Sequence, residues 1–264
     1  MSKQPVDEAW VKRQIQEDFL DDGYEPMGVG HPVPEDYFKR FEGALPWTLL
    51  YIWRTFGFDG FADGRLWLTD PLEWEPVVEA WLEGIQLPFE EQQWHCIART
   101  AMGSMSLWGE KSGNALEIMA VDGLIKPHAM EAEAVADPVT RDRRGCLAIT
   151  FPIEDFFRDE SSGKRLVDVA IERLGPVGED QVYALVPPFL FTGRTDINNL
   201  VIDDAASHLM FLAQTGERSL GPDLLAENRD YIEAFLAEPF SQDERHVRRI
   251  GKIAHYETTG EVLM

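Results

Sequence analysis

The residue types that most often do chemistry are poorly spaced for it in this chain. His95 and Cys96 are adjacent, so on a strand they point to opposite faces and cannot act together as base and nucleophile. Cys146, the second of two cysteines, has no histidine near it in the chain. Both read as small buried thiols, and two cysteines give no disulfide framework, which suits a reducing cytoplasm. The histidines are His31, His95, His128, His208, His246 and His255. They share none of the short spacings that a zinc site uses, and His208 falls on the apolar face of a helical pattern. Gly109-Glu110-Lys111-Ser112 ends like a phosphate loop but lacks the upstream glycine. There is no nucleophile elbow and no dinucleotide glycine signature. Carboxylates are so abundant that no pair stands out. The sequence therefore offers no catalytic residue, no metal site and no cofactor.

The carboxylates carry information as a surface instead. Between Asp70 and Glu91 lie seven acids and no Lys or Arg, interleaved with Trp74, Trp81 and Phe89. A charge run mixed with aromatics must be folded. On a helix, Glu75, Glu79 and Glu83 stack on one face, and like charges so spaced destabilise by about 0.2–0.5 kcal/mol per pair. A cationic partner would offset that cost. The alternative is a solvated face that keeps the protein soluble. The candidate partner-binding residues are Phe58, Asp59, Phe61, Asp63, Asp70, Glu73, Trp74, Glu75, Glu79, Glu83, Glu90 and Glu91.

Composition narrows the function classes. The 264 residues carry 47 Asp and Glu against 24 Lys and Arg, a formal charge of −23. Direct nucleic-acid binding needs a basic surface and is excluded; attachment to an anionic membrane is disfavoured on the same ground. No apolar run is long enough to span a bilayer. Met1-Ser2-Lys3-Gln4 leads into a charged amphipathic stretch, so no secretory leader is expected. The reversed charge case is the basic segment over 245–252, with Arg245, Arg248, Arg249 and Lys252.

The elements that must position these residues are punctuated by proline and glycine. Val6, Trp10, Val11, Ile15 and Phe19 predict a first helix. A short helix follows Pro34 and ends by Gly43. Pro46 opens a helix that Gly57 stops, and three glycines over 57–64 predict a loop before a strand at 65–69. After a single turn at 71–74, a helix starts at Glu75-Pro76 and buries Val77, Val78, Trp81 and Leu82. Strands are expected at 94–101, near Leu107 and at 115–121, with Asp122-Gly123 as a two-residue hairpin turn into 124–128. The polar stretch 131–144 reads as an inter-domain linker and 147–151 as a strand. A helix closed by Gly175-Pro176, a strand at 181–186, a helix ended by Gly216 and a helix at 224–236 complete the pattern. The fold class is α+β in two parts.

Two groups of words resemble known domains. Pro34-Glu35-Asp36-Tyr37-Phe38, Leu45-Pro46-Trp47-Thr48-Leu49-Leu50-Tyr51-Ile52-Trp53, the segment Gly57 to Trp67, Asp70-Pro71 and Trp81-Leu82 together resemble the GAD-like domain of bacterial proteins. Leu174-Gly175-Pro176, the segment Asp180 to Pro187, and His208-Leu209 are similar to the small C-terminal domain that accompanies GAD-like domains in immunity proteins for type VI secretion DNase effectors. The second match departs where Thr192-Gly193 replaces an expected Gly-Gly. The resemblance covers residues 5–125 and 145–215 and implies a GAD-like domain at 5–130, an immunity-type domain at 145–240 and a tail over 241–264. Its words are mostly apolar, Gly and Pro, so they specify a fold rather than a site.

The resemblance further implies a cytoplasmic protein that binds a cognate nuclease toxin and neutralises it stoichiometrically, without catalysis. An adaptor that loads the toxin without inhibiting it is the second reading, and a small-molecule enzyme the third.

Overall fold

Asp7 starts the first helix by accepting the Trp10 amide at 2.8 Å, and α1 (Glu8–Ile15) turns Trp10, Val11 and Ile15 inward before a π turn, Gln16–Leu20, buries Phe19. The computed structural model describes residues 6–128, 132, 134–150 and 156–221, all within one compact unit. The expected helix at 224–236 and the 241–264 tail, with its basic segment, lie outside the described residues.

Two helices follow, α2 (Glu35–Arg40) and α3 (Trp47–Phe56), the latter bounded by Pro46 and by Gly57 at φ 70°. The 57–64 segment is less irregular than its glycines imply. It holds a two-residue strand, β1 (Gly60–Phe61), paired with β2 (Leu66–Leu68). Helix α4 (Glu75–Leu82) begins where the proline argument puts it and buries Val77, Val78 and Trp81. Four strands follow: β3 (Trp94–Thr100), β4 (Met105–Gly109), β5 (Gly113–Met119) and β6 (Leu124–Pro127). Met119 pairs with Leu124, so the β5–β6 turn spans four residues, not two.

The linker and strand expected over 131–151 are corrected by α5 (Pro138–Thr150), whose Cys146 and Ile149 enter the core. The remainder comprises α6 (Leu166–Leu174), β7 (Gln181–Leu185), the short α7 (Phe189–Thr192), β8 (Leu200–Asp204), α8 (Ala205–Thr215) and β9 (Ser219–Leu220).

The strands form a sheet ordered β1-β2-β3-β4-β5-β6-β9, antiparallel except for the last pair, and β7 and β8 form a separate ribbon. Every residue of β3 is buried. Antiparallel sheets often keep one face wet, but here both are covered. Ile97, Ala98 and Trp108 join the core of α1, α3 and α5, while Cys96, Met105, Leu107 and Leu116 meet α4 and α8. Leu209 and Leu212 of α8 therefore finish a core that begins with Trp81 of α4. Buried Arg99 adds a second junction, donating to the carbonyls of Gly178 and Glu179 while its guanidinium lies over Trp67 and Trp74.

Candidate functional site: an acidic groove

The acid-rich segment forms one wall, most of the other and both rims of an open groove. Asp70 fixes its start: one carboxylate oxygen accepts the Leu72 amide at 2.9 Å and the other accepts the Tyr37 hydroxyl at 2.9 Å. With Val77, Val78 and Trp81 buried, α4 turns Glu79 outward, and Glu83 follows at the exposed C-cap. Gly84, at φ 76°, lets the chain reverse there. The far end of α4 is held from the C-terminal part of the chain, where Arg218 donates to the carbonyls of Ala80 and Trp81 at 2.5 and 2.9 Å. A cation on a helix's last carbonyls satisfies acceptors that the helix itself cannot.

Residues 85–93 return along α4 toward β3 and form the second wall. Phe89 packs on Trp94 with ring centroids 5.4 Å apart. Gln92 pins this wall to the β4–β5 turn: its Oε1 accepts the amides of Lys111 and Ser112, and its Nε2 donates to the Ser112 hydroxyl. The space between the walls is ≈ 390 Å³, lined by Val78, Leu82, Ile85, Leu87, Phe89 and Trp94 and edged by Glu79, Glu90 and Glu91. Lys111 touches the rim, reaching Glu90 at 3.3 Å and the Glu91 carbonyl at 3.0 Å. Both side chains of that ion pair are mostly exposed, so it holds little free energy. Glu75 accepts from Gln93 at 3.0 Å. Among the described residues, neither Glu79 nor Glu83 forms an ion pair.

The twelve candidates from sequence separate into three places. Glu75, Glu79, Glu83, Glu90 and Glu91 belong to the groove and its margin. Asp63, Asp70, Glu73 and Trp74 lie elsewhere. Asp63 sits in the β1–β2 turn, whose Gly64 abuts Val177, and half-buried Trp74 carries the Arg99 guanidinium at 5.4 Å. Phe58, Asp59 and Phe61 are buried at 3%, 3% and 0% exposure and cannot touch a partner in this fold. Asp59 is fully engaged, accepting the amides of Gly28, Val29, Gly30 and Gly60. The apolar floor, by contrast, is absent from the sequence selection. Its signal was the alternation of Ile85, Leu87 and Phe89, which puts three apolar side chains on one side of an extended segment.

Four titratable side chains away from the groove, Cys96, Cys146, His95 and His208, are buried. Burial pushes the thiols of Cys96 and Cys146 up to about 12, which keeps both protonated and inert. Burial also lowers the pKa of His95 and of His208, each against an opposing carboxylate, Glu110 at 3.1 Å and Asp203 at 3.5 Å. Among the described residues, no cluster of three His, Cys, Asp or Glu side chains could hold a metal ion, and no helix is long and apolar enough to cross a membrane.

Residues 14–122 match the GAD-like domain family, and residues 149–216 match the family described as T6SS immunity protein Tdi1, C-terminal. The chain thus carries a GAD-like domain followed by a Tdi1-type immunity C-terminal domain, with the groove inside the former. No curated protein matches the chain. Its fold is similar to the crystal structure of Atu4351 from Agrobacterium tumefaciens, with a TM-score of 0.65 and 20% identity, covering 77% of this chain and 90% of that one.

Proposed function

We propose that this chain, a GAD-like domain joined to a Tdi1-type immunity domain, is a cytoplasmic immunity protein that neutralises a nuclease toxin of the type VI secretion system by binding it stoichiometrically. The observation that carries the reading is the family match over residues 149–216. The charge of −23 supports a nuclease as the target. A nuclease needs a basic groove for phosphate, and an acidic inhibitor is steered to it at rates up to about 10⁸–10⁹ M⁻¹s⁻¹ at low salt. The protein itself does no catalysis in this reading. Its contact surface includes Glu75, Glu79, Glu83, Glu90 and Glu91, with aromatic and aliphatic neighbours as anchors.

Plasmid nicking by the toxin of the neighbouring reading frame, with and without this protein at equal molarity, tests the proposal. Protection complete at about one-to-one supports neutralisation by binding. Binding that leaves nicking intact replaces it with the loading adaptor. Absence of binding removes the immunity reading for that toxin.

A further inference from the structure

Building on the immunity reading, we infer that the groove between α4 and residues 85–94 receives a cationic amphipathic segment of the toxin, which places an apolar side chain on the floor and Lys or Arg on the rims. The floor is apolar, with Leu82, Ile85, Leu87 and Phe89 half-buried rather than sealed, and the groove is large enough, at ≈ 390 Å³, for side chains to enter. Glu79 edges it from α4, with Glu83 one turn further on, and Glu90 and Glu91 edge it from the returning segment. Carboxylates on two sides of an apolar trough match a segment with one apolar face and positive flanks. Lys111 already reaches across one rim to Glu90 and the Glu91 carbonyl, which shows that an ammonium fits there. Its exposed position makes it easy to displace.

Other occupants fit less well. An anionic lipid surface would meet carboxylates on both edges. A second copy of this chain would bring one acidic rim against another. A small polar ligand would leave the apolar floor of Leu82, Ile85, Leu87 and Phe89 unmatched, with polar groups only at the edges. The walls are also held before any partner arrives. Gln92 fixes one to Ser112 and the Lys111 amide, and Arg218 fixes the end of the other. A preformed site loses less free energy to ordering when it binds.

The experiment uses the full chain and two probes. The first is a synthetic leucine–lysine peptide with its lysines on one helical face, titrated calorimetrically. The Glu79→Lys/Glu83→Lys variant should bind it at least about tenfold more weakly, and Leu87→Ala/Phe89→Ala at least about fivefold. Asp22→Lys/Glu42→Lys, which changes the net charge equally on exposed positions outside the groove, should stay within about twofold. Melting temperatures identify any variant that fails to fold, and Glu79→Gln/Glu83→Gln then serves as the milder substitute. Equal losses in both charge-reversed variants would overturn the inference, because net charge alone would explain binding. The second probe is the toxin of the neighbouring reading frame. If the parent chain protects plasmid DNA and the groove variants protect equally well at limiting concentration, the groove inference falls while the immunity reading stands. If the parent chain binds the toxin without protecting, the immunity reading falls, and weaker toxin binding by the groove variants still decides the groove.

Discussion

Replacing Asp59 separates scaffold from surface, because the sequence places it among contact residues and the structure places it in the core. Its Oδ1 accepts the amides of Val29, Gly30 and Gly60 at 3.1, 2.9 and 2.8 Å, and its Oδ2 accepts that of Gly28 at 2.8 Å. These bonds tie the 28–30 loop to the start of β1. The loop also lies so close that a Cβ on Gly30 would come within 2.3 Å of the Asp59 Cα, leaving no room for a substitute to reach in. In Asp59→Ala, exposed Gly28 and Val29 can turn to water, whereas Gly60 is buried and Gly30 partly so. Hydrogen bonds to a charged group contribute about 1.5–3 kcal/mol each, so losing two without replacement costs about 3–6 kcal/mol. For a chain of this size, at about 2 °C per kcal/mol, that lowers the melting temperature by roughly 6–12 °C. Asp59→Asn keeps one oxygen for the three shared amides and sets its NH₂ against Gly28, so about half the loss is expected. Thermal and urea unfolding measure the effect, with toxin affinity determined well below the transition. An Asp59→Ala protein that melts normally but binds the toxin weakly would refute the reasoning and return Asp59 to the contact surface.

Three further outcomes follow from buried groups. Arg99→Ala should cost about 3–5 kcal/mol in urea unfolding, because it strips the Gly178 and Glu179 carbonyls and empties the space between Trp67 and Trp74; Arg99→Met, which refills that space without charge, should cost clearly less. Neither cysteine should react with a thiol reagent in the native protein, and both should react in denaturant, since burial holds the Cys96 and Cys146 thiols up at about 12. Burial lowers the pKa of His95 and of His208 in the fold, so the unfolded chain binds their protons first. Stability should therefore fall as pH drops below about 6.5, and His95→Gln/His208→Gln should flatten that part of a melting-temperature profile.

How far the sequence could be read depends on what decided each element. Local chemistry decided α3, between Pro46 and Gly57, and α4, started by Glu75-Pro76, so both were legible. It failed at α5. Gly145 interrupts a helical reading and Leu147-Ala148-Ile149-Thr150 favours a strand, yet the segment is helical. The reason is tertiary: a Cβ at Gly145 would lie 2.2 Å from Pro46 Cγ and 2.7 Å from Thr48 Oγ1, so glycine is what lets α5 lie against α3. Packing there overrides propensity. The site divides in the same way. Acid spacing on α4 made the exposed acidic edge legible, because helical periodicity exposes Glu79 and Glu83 once Val77, Val78 and Trp81 are buried. Asp59 was misplaced because an acidic side chain surrounded by glycines looks like an exposed turn until its four amide donors are known.

The same division explains how α4 can hold its like charges. Glu75, Glu79 and Glu83 repel at a cost of about 0.2–0.5 kcal/mol per pair. Trp81, completely buried beneath them, contributes several times that amount through burial. Much of that burial comes from outside the GAD-like region, since Leu209 and Leu212 of α8 lie in the same core cluster and Arg218 fastens the helix's last carbonyls. The C-terminal part thus holds up the acidic face of the N-terminal part. The full-length Leu209→Ala/Leu212→Ala/Arg218→Ala variant keeps every carboxylate of the groove while losing the α8 leucines and the Arg218 cap. On the reasoning above it should bind the leucine–lysine peptide more weakly than the parent chain, although its acid count in the groove is unchanged. Equal affinity would mean that α4 holds its position without these contacts.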